Sequence, residues 1–191
     1  MRSDAPFQDL LAAARKGDEP ALATLYRRLQ PALLGYLHTQ RPNDADDLAS
    51  ETWIAAARGL ERFRGDEEDF RRWMFTIARR RLLDLYRDEA RRPAAATRGA
   101  AAETAGIAPD AATEAIQAAD VRFALSQIAS LPADEAEVVV LRVVAGLSAK
   151  DVAEITGRTT VGVRVVQHRA LKRLAGFLEK SLVTLVGAAA M

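Results

Sequence analysis

The chain contains no cysteine, which removes disulfides, thiolate metal sites and a cysteine nucleophile from consideration. Histidine is scarce: His38 and His168 stand alone and far apart, without metal-ligand spacing. Aromatics are only 6% of the 191 residues although 49% are hydrophobic, so Ala, Leu and Val carry the apolar content, as in a helical core. No apolar run reaches the ~20 residues of a membrane span. The N-terminal MRSDAPFQDLL has neither the basic start nor the long apolar stretch of a secretory signal. No glycine-rich phosphate loop and no nucleophile elbow occurs. Nothing therefore nominates an enzyme, a metal or a cofactor. The expectation is a cytoplasmic helical protein without membrane insertion.

The net charge is only +1, but it is spread unevenly. Residues 1–60 hold seven Arg/Lys against eight Asp/Glu, whereas residues 140–180 hold eight against three, and 71–92 is dense in arginine. Two basic stretches far apart, with an acidic one elsewhere, suit a protein that meets a polyanion at more than one place.

Helical periodicity begins at Phe7, Leu10 and Leu11 and pauses near Gly17. A second helix is expected from Glu19 to about His38, burying Leu22, Leu25, Tyr26, Leu29, Leu33, Leu34 and Leu37, with Pro31 bending or splitting it. Asp44, Asp46 and Asp47 then crowd the start of a third, where the helix dipole favours negative charge. No glycine-centred loop supports a cation there, so a solvated start or an acidic docking face is expected. Past the polar loop RGDEED, FRRWMFTIARRRLLDLYRDEARR reads as one helix of about six turns. Its arginines interleave with Trp73, Phe75 and Tyr86, the pattern of a surface that holds phosphates and stacks unpaired bases. The alternative is that Trp73 is simply core.

Residues 93–112, PAAATRGAAAETAGIAPDAA, have the composition of a flexible linker. Helical pattern resumes at Thr113, and Pro132 fits the first turn of a further helix from Ala133 to Val144. GLSAKDVAEITGRTTVGVRVVQHRALKRL, residues 146–174, then reads as a helix-turn-helix. Ser148 and Asp151 make a capping box, Gly157 stops the first helix, and Thr159 caps the second. That second helix carries Val163, Val166, Ala170, Leu174 and Phe177 on one side and Arg164, His168, Arg169, Lys172 and Arg173 on the other. Pattern alone leaves open an ordinary hairpin with a solvated cationic face. The expected fold is all-α: two small helical domains, 1–92 and 113–180, joined by the flexible linker 93–112, with an apolar tail at 181–191.

In order and spacing these stretches resemble the extracytoplasmic-function sigma factors, the small two-domain bacterial transcription initiation factors. Phe7 to Leu37 is similar to the start of sigma region 2, and DADDLASETWIAAARGLERF to its polymerase-binding helix. FRRWMFTIARRRLLDLYRDEARR resembles the promoter-melting helix, and residues 131–174 resemble region 4. The resemblance implies a subunit that binds core RNA polymerase, at the largest-subunit clamp helices and the flap, and recognises −35 and −10 promoter elements. It also implies an anti-sigma partner. Asp46, Asp47, Leu48, Glu51, Trp53 and Ile54 would bind polymerase. Arg64, Asp66, Arg71 and Arg72 would capture a flipped −10 base, with Arg79, Arg80 and Arg81 on the backbone. Arg164, Val165, His168 and Arg169 would meet the −35 element, with Arg158, Thr159, Thr160 and Lys172 beside them.

The chain departs from the family pattern where base choice is made. Thr160-Val161-Gly162 stands for the usual Val-Gly-Thr, Val166 for a common arginine, Gln167 for an aliphatic residue, and Arg80 for an asparagine. Either the helix is rotated so that Val166 enters the core, or its base readout is unusual. Two rival classes stand beside the sigma reading: a dimeric helix-turn-helix regulator that works without polymerase, and a helical interaction protein with no DNA role.

Overall fold

The computed structural model describes residues 5–91, 121 and 123–189, with side-chain surroundings given for 6–177 among them. The expected linker 93–112 and the helical start at Thr113 lie outside the described residues. Those described are helical with no strand, and the chain divides into two units, Met1–Ala100 and Ala101–Met191.

The first unit is built from α1 (Ala5–Arg15), α2 (Glu19–Gln40), α3 (Ala45–Gly59) and α4 (Glu67–Arg91). Gly17 turns the chain at φ +82°, and Asp18 then caps α2 by accepting a 2.8 Å bond from the Ala21 N–H. α2 runs through Pro31 without a break, so of the two outcomes expected there, a bend or a split, the split does not occur. A mid-helix proline costs about 3 kcal/mol. Burial of Leu29, Leu33, Tyr36 and Leu37 around it, against α1, α3 and α4, offsets that cost. Leu22 and Tyr26, expected in the core, are exposed instead, and Leu34 is half-buried.

Phe70, Met74, Phe75, Ala78 and Leu82 of α4 are buried. Phe75 meets Tyr36 edge-on at 5.8 Å, which removes it from any base-stacking surface. Trp73 is half-buried and stacks on Phe63 at 5.0 Å, mostly as the core alternative held. Arg15 of α1 donates to the carbonyls of Leu60 (3.2 Å) and Phe63 (2.5 Å), closing the end of α3.

The second unit comprises α5 (123–129), α6 (Ala133–Val139) with a π-helical turn at Val140–Val144, α7 (Ala149–Thr156) and α8 (Thr160–Ala189). One helix was expected over Ala133–Val144. The widened last turn, closed by the Ala145 N–H on Val140 C=O at 2.9 Å, begins in the buried run Val138 to Leu141 and ends on the exposed Val143 and half-buried Val144. Pro132 sits just before α6, at its cap position, rather than in its first turn. Ser148 and Asp151 form the expected capping box and Gly157 is left-handed at φ +71°. α8 continues to Ala189, so residues 181–189 of the expected tail extend the helix.

Candidate nucleic-acid and protein interfaces

On α3, Asp46, Asp47, Glu51 and Ile54 are exposed, Ile54 at 52%. Among the described residues the three carboxylates have no ion-pair partner. Asp44, by contrast, is paired with Arg41 at 2.8 Å. Arg41 also binds Glu89 with both guanidinium arms and lies over the Tyr86 ring. The Glu89 hydrogen bond, with help from Asp44, raises the pKa of a guanidinium that is already a permanent cation. Leu48, expected beside them, is only 5% exposed and packs in the core. Trp53 is half-buried, with its indole N–H on Gln30 at 2.7 Å and Tyr26 tilted against its ring at 5.2 Å. An acidic row thus borders an apolar patch of Ile54, Trp53 and the exposed Tyr26 and Leu22. Sequence reading missed the last two as surface, since their spacing matches the core stripe.

The loop before α4 is tightly shaped. Asp66 caps α4, accepting from the Asp69 N–H at 2.8 Å, while its own N–H reaches Asp69 at 3.3 Å. Gly65 holds φ +151°, and a Cβ there would lie 2.6 Å from that of Asp69. Gln8 of α1 donates to the Gly65 carbonyl at 2.9 Å. Arg64 is exposed, with its guanidinium on the carbonyls of Glu61 and Phe63. One oxygen of Asp66 is therefore engaged as the cap. Arg71 pairs with Glu67 at 3.9 Å and Arg72 with Asp69 at 2.7 Å. Arg79 and Arg81 are half-buried and Arg80 is exposed.

α8 is held on three sides. Val163, Val166 and Ala170 are buried against the unit's core. On one flank, Arg169 Nε donates to Glu135 at 2.6 Å and Arg173 Nε faces the other Glu135 oxygen at 3.2 Å. On the other, Arg142 donates to Gln167 at 3.0 Å and to the Leu147 carbonyl. Asp134 extends the first flank to Arg158 (3.6 Å) and Arg169 (3.8 Å). Val166 in the core decides between the two readings of the sequence in favour of the shifted helix, and Gln167 finds its partner in Arg142.

Two of the expected DNA contacts have partners within the fold. Arg169 and Arg158 are paired with the α6 acids, Arg158 with Asp134 and Arg169 with Asp134 and Glu135, while Arg169 keeps about half of its side chain exposed. Glu135, only 1% exposed, was missed. Its signal was position, three and four residues before buried Val138 and Val139 on the same helix face. Thr159 caps α8 by accepting from the Gly162 N–H at 3.0 Å, and Thr160 is half-buried behind it. What remains outward is Val161, Arg164, Val165, His168 and Lys172, all exposed. Among the described residues, Arg164 and Lys172 have no hydrogen-bond or ion-pair partner.

Residues 25–92 match the family model for Sigma-70 region 2, and residues 124–174 that for Sigma-70 region 4. The chain is similar to the ECF RNA polymerase sigma factor ShbA of Streptomyces griseus, 31% identical over 185 residues, 90% of this chain and 94% of the relative. It is 35% identical over 175 residues to the ECF sigma factor SigD of Mycobacterium tuberculosis, covering 86% of this chain and 80% of the relative. The structure of CnrH in complex with the cytosolic domain of CnrY matches 90% of this chain and 96% of its own, at TM-score 0.57 and 25% identity. The sigma factor RpoE of Bartonella quintana, solved with the anti-sigma factor NepR, shares the fold. Its TM-score is 0.59 at 21% identity, over 83% of this chain and 96% of its own.

Proposed function

The chain belongs to the extracytoplasmic-function sigma factors of bacterial RNA polymerase, and from that membership we propose how its surfaces divide the work. As a sigma factor it binds core polymerase and directs promoter-specific initiation, recognising −35 and −10 elements and helping to melt the latter. Residues 1–92 act on polymerase and the −10 region, 113–180 act on the −35 element, 93–112 tether them, and 181–191 form an apolar end. Asp46, Asp47, Glu51 and Ile54, backed by Trp53, dock on the clamp helices of the largest subunit, and the second domain meets the flap. The loop at Arg64, with Arg71, Arg72 and Arg79–Arg81, receives the opened −10 strand. Arg164, Val165, His168 and Lys172 face −35 duplex, with Thr159 and Thr160 at the helix start beside its phosphates.

The carrying observation is the contrast in pairing. Among the described residues the α3 acids are exposed and unpartnered, and so are the outward Arg164 and Lys172 of α8, while neighbouring charges are neutralised within the fold. A regulatory partner is part of the reading: CnrH is seen with the cytosolic domain of CnrY, and a protein covering the α3 face would keep this chain off polymerase in the cytoplasm. Run-off transcription with core polymerase tests the whole reading. Promoter-specific transcripts that require the chain support it. DNA binding with no transcript from any promoter mapped upstream of its targets would favour the polymerase-independent regulator.

A further inference from the structure

The outward stripe of α8 begins with two residues that cannot hydrogen-bond through their side chains. Val161 is 68% exposed and Val165 58% exposed. They lie one turn apart, with Arg164 beside Val165 and His168 following on the same face. Rotation of α8 cannot hide them. Val163, Val166 and Ala170 fix the back of the helix, Glu135 holds one flank through Arg169 and Arg173, and Arg142 holds the other through Gln167. Exposed valines gain nothing from burial in the free protein and lower helix propensity. Beside them the stripe carries Arg164, His168 and Lys172, with Leu171 further along and no acid among them, so the surface suits a polyanion. In a major groove the only apolar group at a base edge is the thymine 5-methyl.

We propose that Val161 and Val165 are specificity-determining residues that read thymine methyl groups in the −35 duplex. Arg164 and His168 supply the polar contacts between and beside them. This rests on the reading that α8 enters the groove. A four-residue spacing advances about 6 Å along the helix, against about 3.4 Å per base pair. The two methyls therefore belong to thymines within about two steps of each other.

The experiment uses the full chain assembled with core polymerase, and duplexes selected by that holoenzyme from a pool randomised across the −35 region. Each selected thymine is then replaced by deoxyuridine, which removes the methyl and leaves base pairing intact. Two replacements should each weaken binding about fourfold, the worth of one buried CH₂ group (~0.8 kcal/mol) at ~1.4 kcal/mol per tenfold. V161A should abolish sensitivity at one position and V165A at the other. Alanine at these exposed sites favours the helix, so a folding defect will not mimic the result. Deoxyuridine tolerated within twofold at every position, or valine variants that lose equally on thymine and uracil duplexes, overturns the proposal while leaving groove reading by α8 intact. If no −35 sequence is selected, the reading beneath it fails, and the proposal with it. Loss of a protein partner but of no DNA contact in V161A and V165A would assign the stripe to that partner and overturn it as well.

Discussion

Two helices of this chain begin with adjacent acids, Asp46-Asp47 on α3 and Asp134-Glu135 on α6, and the pairs end in opposite circumstances. Both satisfy a helix dipole in the first turn. Asp46 and Asp47 stay exposed and, among the described residues, unpaired, whereas Glu135 is buried and contacted by two arginines from α8. The difference lies in what packs nearby. α3 turns its first-turn acids outward while Ala45, Leu48 and Ala49 face the core. α6 puts Glu135 on its core side, and only a cation-bearing helix laid across it makes that tolerable. Acids at a helix start are thus free for a partner in one domain and spent on internal alignment in the other.

The comparison breaks most visibly if the buried acid loses its cations. Arg169→Ala with Arg173→Ala leaves Glu135 buried and uncompensated, and should cost about 3 kcal/mol or more, read by urea unfolding of the full chain. A loss below about 1 kcal/mol would mean that Glu135 does not need its partners. Next in size is the free pair. Asp47→Lys should weaken association with core polymerase about tenfold, or ~1.4 kcal/mol. Its own stability should shift by no more than the dipole contribution of about 0.3–1 kcal/mol. A variant that unfolds the chain, or binds polymerase undiminished, would erase the distinction.

Smaller still is the reciprocal change. Glu135→Gln removes the buried charge, and Arg169 and Arg173, each about half-exposed at 53% and 52%, can return to water. It should cost about 1 kcal/mol, less than removing the arginines. Combined with the double arginine variant it should recover part of the loss, a non-additivity that identifies the network.

How much was legible follows the range of the forces involved. The capping box at Ser148 and Asp151 and the stop at Gly157 were readable because their partners lie three or four residues away. Leu22 and Tyr26 were misplaced because a helix of 22 residues packed on three neighbours still leaves one apolar edge uncovered. Pro31 left a split open that α2 does not make, since local cost yields to tertiary burial. Leu48 and Trp53 sit in one motif, yet one is core and the other is held by Gln30, a partner 23 residues away. The roles of Glu135, Arg169 and Val166 depend on how α6 and α8 cross, which no local pattern contains.

The smallest expected effect separates the two acid pairs without any mutation. Raising salt from about 0.1 to 1 M shortens the screening length from about 10 to 3 Å. Exposed Asp46, Asp47 and Glu51 are open to that screening, so polymerase association should weaken steadily with salt. Glu135 is shielded from solvent on its own side of the pair, so wild-type stability and that of Glu135→Gln should move together with salt, their difference changing by less than about 0.5 kcal/mol. A difference that collapses at high salt would show that the α6 cluster is screened like a surface pair, and the contrast between the two helix starts would then be one of degree.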